Sequence, residues 1–308
     1  MYQYRGRLHW DGFWSFLSCL LRRKACAARK AKRDTDMRLQ EIKDTTFFKL
    51  MLAWALAIAL YGLLIENTFL LTLAGYTSTL ALFALSINVM LGGVGEVPLG
   101  QSLFFGLGAY AVGIGMQKLG FSYALSVLSG IAITIALSFV IGMITLRLTG
   151  AYFAIVSWGM ASVAVVAVLN LESVTGGGMG IFGLPDMQFF TIDLTSPIQY
   201  FYTAAATLLL IIVILNAIRQ SRFGYALESV RQNPHLATSL GVNVFRQRLK
   251  AFMLSAVIAT IAGALSVPYT QIITHESLNI AITVDALLMV LLGGTRWLFG
   301  PVLGAMII

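Results

Sequence analysis

An all-α, polytopic bundle of transmembrane helices is the fold class this sequence predicts, and three observations predict it. Of 308 residues, 58% are hydrophobic and only 11% charged, against roughly 25% charged in soluble domains. The apolar residues gather into runs about as long as the 20 residues a helix needs to cross a bilayer core. Charge is clustered as well: 12 of the 21 Lys/Arg fall in residues 1–49 and six more in residues 219–250. That clustering is what positive-inside topology produces, so the net charge of +8 is read as orientation and not as nucleic-acid binding.

The first 45 residues form a basic N-terminal segment, separate from a transmembrane domain spanning residues 46–308. The apolar stretch Phe13–Leu21 is short and runs into Arg22, Arg23 and Lys24, which does not make a cleavable signal peptide. Two readings stand for this segment, an amphipathic membrane-surface stretch or a solvated basic tail, and Met37 is an alternative start. Cys19 and Cys26 lie here without metal-ligand partners nearby, so neither a disulfide nor a zinc site is expected.

About eight spans follow: residues 47–65, 68–91, 98–117, 121–146, 150–170, 199–217 and 250–270, with an eighth beginning near Val284. A cytoplasmic N-terminus then places Arg147, the loop 219–250 and the turn Gly92–Val97 inside. The outer segments 171–198 and 271–283 carry acids but no Lys or Arg, and only Lys118 runs against the bias. An internal echo links NVMLGGVGEVPLG, Asn88–Gly100, to MVLLGGTRWLFG, Met289–Gly300. Transporters are often built from such repeats, and broken or re-entrant segments are expected near Gly92–Pro98 and Gly293–Gly300. Gly300–Ile308 spans only about 14 Å as helix, so the last element is re-entrant or the chain is shortened. Arg296 reads as a positive-inside anchor at a helix end.

Several chemistries have no residues to carry them. His9, His235 and His275 all fall outside the spans, and no span holds the His or paired-acid cluster of metal or acid/base catalysis. No cofactor or metal is expected. Glu66, Glu96, Glu172 and Asp285 lie near ends or breaks, so no intramembrane proton relay is legible, whereas sodium held by backbone carbonyls stays open. GGVGEVPLG and TGGGMG are not phosphate loops, and any ATP use must occur on another polypeptide.

The segment Arg219–Lys250 has six Lys/Arg against one acid, Glu228. Asn233 followed by Pro234 is a helix-start signature and Gly241 a stop, which predicts a two-turn helix Pro234–Leu240. Leu236, Ala237 and Leu240 are expected to share an apolar side that docks in a partner's groove, with Arg231, Arg246 and Arg248 as flanking clamps. The competing reading lays this helix on lipid headgroups. Near the first break, Asn88, Gln101 and Ser102 are candidate pathway-lining groups, with interhelical hydrogen bonding as the alternative for each. Tyr152 reads as an interface anchor, and Thr175–Gly180 as an outer contact or a plain turn.

With these residues in place, the sequence resembles the permease subunits of ATP-binding cassette importers for branched-chain amino acids, in the LivM-like branch. GGVGEVPLGQSLFFGLGAY (Gly92–Tyr110), GAYFAI (Gly150–Ile155), VTGGGMGIFGLP (Val174–Pro185) and the terminal pattern Leu287–Ala305 carry the likeness. So does the loop pattern through Phe223, Gly224, Ala226, Leu227, Arg231, Asn233, Ala237, Leu240, Gly241, Val242, Asn243 and Val244. Glu96, Pro98, Gln101 and the pair Arg296–Trp297 depart from it, and a related branch handles urea or short amides. The resemblance implies a multi-pass subunit of the bacterial inner membrane that performs no bond chemistry itself. Its implied partners are a second, similar permease, cytoplasmic ATPase subunits seated on Pro234–Gly241, a periplasmic substrate-binding protein, a small-molecule substrate and membrane lipid. A stand-alone secondary carrier or channel, or a non-transporting scaffold subunit, is the alternative.

Overall fold

The computed structural model describes residues 67–308 apart from positions 186, 190 and 191, together with Met51, Trp54 and Gly62. The segment 1–45 and all but those three positions of the expected span 47–65 lie outside the described residues. Residues 67–308 fall within one compact unit, Ile58–Ile308.

Among the described residues, five helices are long and apolar enough to cross a membrane. They are α1 (Thr68–Gly93), α3 (Tyr123–Thr145), α4 (Ala151–Asn170), α6 (Pro197–Gln220) and α9 (Val244–Thr270). Each matches one expected span. The expected span 98–117 is shorter than foreseen, because the chain after α1 stays irregular until α2 (Gln101–Gln117) begins. At 17 residues α2 rises only about 26 Å, short of a full crossing. The eighth expected span is α10 (Ile280–Gly293), 14 residues long, followed after a turn by the eight-residue α11 (Gly300–Ile307). Both Gly-Gly motifs therefore end helices, as their lack of a side chain and the following irregular backbone favour.

Caps set the helix starts. The side chains of Asn67, Ser122, Asn243 and Asn279 accept backbone N–H bonds at the starts of α1, α3, α9 and α10, satisfying donors that a helix cannot pair internally. At the centre stands α9, packed against α1, α2 and α3. Its contact with α2 is backbone to backbone: a methyl on Gly108 would collide with the Thr260 carbonyl, and one on Gly263 with the Phe105 carbonyl. Small residues permit that approach, the means by which helices associate where lipid supplies no hydrophobic drive. Thr260 reinforces it, donating to the Phe104 carbonyl at 3.1 Å and lying 2.7 Å from the Thr134 hydroxyl on α3.

By contrast, α3 and α4 leave Leu128, Val140, Ile144, Ile155, Val163 and Val166 exposed, the side chains a lipid-facing surface requires. Alternation of the helices puts the turn 94–100, the loop 146–150, residues 221–243 and the turn 294–299 at one end of the bundle. At the opposite end α5 (Glu172–Thr175), the two-residue ladder of β1 (Ile181–Phe182) with β4 (Ile272–Ile273), and the hairpin β2 (Gln188–Phe189) with β3 (Ile192–Asp193) close the connections. Lys118 donates there to the Ser173 carbonyl, which gives this cation, alone against the charge bias, a local partner.

Candidate functional site

The loop end gathers both helix breaks and the docking segment into one junction. Ser221 caps α7 (Arg222–Gln232), accepting from Gly224 N–H at 3.4 Å. Asn233 then separates α7 from α8 (Pro234–Ser239), and its Oδ1 accepts from the N–H groups of His235 and Leu236, each at 3.1 Å. The cap and Pro at the first position hold α8 as expected. Leu240 is the C-cap, and Gly241, at φ 84°, reverses the chain in a conformation that favours glycine.

The expected apolar side of α8 divides in two. Leu236 is 59% and Leu240 73% exposed, facing outward, whereas Ala237 is 1% exposed and sits against the chain. Two of the three flanking arginines turn inward. Arg231 donates from Nη1 to the Gly92 carbonyl at 2.9 Å, and Arg248 pairs with Glu96 at 3.1 Å. Only Arg246 of the three is exposed. The inward turn has a simple cause: helix breaks at Gly92 and Gly95 leave carbonyls and a buried carboxylate that need donors.

The two breaks touch. A methyl on Gly92 would lie 2.6 Å from the Thr295 carbonyl and 2.7 Å from Asn88 Oδ1. Glu228 of α7 bridges them loosely, 3.9 Å from Arg231 and 4.0 Å from Arg296. At 76% exposure the Arg296 side chain lies on the surface.

The three pathway candidates flank the first break and are buried. Gln101 donates from Nε2 to Ser255 Oγ on α9 at 2.7 Å, and the Ser102 N–H donates to Thr283 Oγ1 on α10 at 2.9 Å. Asn88 Oδ1, Gln101 Oε1 and Ser102 Oγ have no hydrogen-bond partner among the described residues. Gln101 and the Ser102 backbone thus tie α2 to its neighbours, while the three side-chain oxygens keep acceptor capacity in reserve. Ser255 and Thr283 were missed by sequence reasoning, since single hydroxyls in apolar helices carry no pattern. The Glu96–Arg248 pair was missed as a pair, although a lone acid inside a glycine turn was the available signal.

A lipid-compatible bundle with two abutting helix breaks and a capped surface helix beside them defines a polytopic α-helical membrane protein. The chain belongs to the family described as branched-chain amino acid transport system / permease component, whose model matches residues 69–308. It is 26% identical over 259 residues to the high-affinity branched-chain amino acid transport system permease protein LivM of Salmonella typhimurium, and equally to that of Escherichia coli K12. Each alignment covers 77% of this chain and 61% of the relative, so the chain spans about three-fifths of the length of these curated relatives. A probable branched-chain amino acid transport permease protein LivH of Methanocaldococcus jannaschii is 31% identical over 108 residues, covering 35% of this chain and 34% of that protein. No solved structure matches the chain.

Proposed function

We propose that this chain is the membrane-spanning subunit of an ATP-binding cassette importer that carries branched-chain amino acids, or related small amino acids and amides such as urea, across the bacterial inner membrane. The observation that carries this reading is α8, a capped helix that presents Leu236 and Leu240 outward from a basic loop. Exposed leucines at helical spacing beside a membrane ask for a groove, and helix-in-groove docking supplies one. The chain has no phosphate loop of its own, so the groove belongs to a cytoplasmic ATPase subunit. The loop end is then cytoplasmic, in keeping with its excess of Lys/Arg, and the N-terminus lies on the same side.

In this reading Asn233, Pro234 and Gly241 shape the docking helix, Leu236 and Leu240 contact the ATPase, and Ala237 seats the helix on the rest of the chain. Arg231 anchors α7 to the first break. Asn88, Gln101 and Ser102 border the route of the substrate, which a second permease subunit completes and a periplasmic binding protein supplies. Closure of the ATPases on ATP displaces α8 and exposes the route alternately to the two sides.

The test is uptake in proteoliposomes holding this chain, its companion permease and ATPases, with Leu240→Cys as a crosslinking position. ATP-dependent import that needs the soluble binding protein, with Leu240→Cys crosslinked to the ATPase, is the expected result. Import driven by an ion gradient in vesicles holding this chain alone would replace this reading with that of a secondary carrier.

A further inference from the structure

Arg231 and Arg248 leave opposite arms of the loop that carries α8, and both close on the same stretch of chain. Arg231 lies at the end of α7, just before α8, and holds the Gly92 carbonyl. Arg248 lies in the second turn of α9, just after α8, and holds Glu96. The side chains of this pair are 9% and 6% exposed. Glu96 makes a third connection, accepting the Gly150 N–H through Oε2 at 2.7 Å at the start of α4. The carboxylate therefore joins the first break to the bases of both α4 and α9. Gln101 and Ser102 follow directly at the start of α2.

Burying two charges is not a route to net stability, because desolvation offsets most of their attraction and apolar residues of similar volume often serve as well. What such a pair does impose is position, since moving one partner strands the other charge in a medium of low polarizability. We propose that Glu96 is a positioning residue, and that the Glu96–Arg248 pair, together with the Arg231 grip on Gly92, carries displacement of α8 into residues 92–100 and from there to Gln101 and Ser102. This rests on the importer reading above. It assigns Glu96 and Arg248 a part in coupling that neither has through contact with ATPase or substrate.

The complete transporter in proteoliposomes provides the test, in a background of Cys19→Ser and Cys26→Ser. Val94 is 4% exposed within the gripped segment, so Val94→Cys reports by N-ethylmaleimide labelling whether the segment stays seated. Glu96→Gln and Arg248→Gln are each expected to raise the labelling rate and to lower substrate imported per ATP hydrolysed by about tenfold or more, with KM for the substrate held within about twofold. Arg248→Lys keeps the charge and retains most of the stoichiometry. The double variant leaves no stranded charge and should be no worse than either single one, the non-additivity of a coupled pair. Unchanged labelling in Glu96→Gln overturns the anchoring. Raised labelling with stoichiometry intact overturns the transmission. Import by the unsubstituted chain without ATP removes the importer reading and the transmission role with it, while the labelling arm still decides whether the pair seats the segment.

Discussion

Replacing Leu236 and Leu240 by alanine should detach the ATPase while leaving this chain folded. Fully burying a leucine is worth about 1.5–3 kcal/mol. With 59% and 73% of the two residues exposed, docking leaves about 2–4 kcal/mol to be gained from both side chains together. Alanine keeps the β-carbon, so the loss falls toward the lower part of that range, a weakening of about tenfold to a hundredfold in the equilibrium constant. The fold of α8 itself should survive, because alanine is the better helix former and the Asn233 cap is untouched. The assay is retention of the ATPase on affinity-captured permease in detergent, titrated with ATPase and read beside the thermal midpoint of the permease alone. A weaker association with an unchanged midpoint is expected. Equal association of Leu236→Ala/Leu240→Ala and the unsubstituted chain would refute the docking assignment, since no other outward apolar group lies on this helix.

Three further outcomes follow from the same geometry. Asn233→Ala removes an acceptor shared by two backbone donors and should cost about 1 kcal/mol of local helix stability, seen as faster amide exchange at His235 and Leu236. Gly108→Val places a side chain against the Thr260 backbone. Because that backbone cannot yield as a flexible side chain would, the loss should exceed the about 1–3 kcal/mol of ordinary overpacking, and folded yield from membranes measures it. Ser255→Ala removes the acceptor of the Gln101 amide and should destabilise the α2–α9 contact by about 1–3 kcal/mol, whereas Ser255→Thr, which keeps a hydroxyl, should lose less in the same thermal assay.

The five long spans were legible because length and hydropathy alone decide them, and the α8 cap was legible because Asn-Pro and Gly act locally. The length of α2 was not, since a run of apolar letters continues through Val97 and Leu99 although the backbone there has left the helix. Direction was the harder matter at the candidate site. Arg231 and Arg248 lie where the sequence puts them, but which way each points depends on Gly92 and Glu96, separated from them by more than a hundred residues. Local patterns fix the phase of a side chain around its helix; they do not say what stands opposite. The touching of the two Gly-Gly turns is of the same kind, hinted at by their likeness and settled only by Thr295 abutting Gly92.

The backbone contact of α2 with α9 also bears on how the chain enters the membrane during synthesis. Strongly apolar α3 and α4 can sit in lipid as soon as they emerge, for most of their surface faces outward. Short α2 has no such independence: Gln101 finds its amide partner at Ser255, 154 positions later, and Gly106, Gly108 and Gly113 offer lipid little to hold. The nascent chain can pack α2 on α3 at once, Gly115 against Ser126, but the backbone-to-backbone seat on α9 waits for the making of three more spans. A truncation upstream of residue 244 would leave the Gln101 amide without Ser255 and the Gly108 face without the Thr260 backbone it fits.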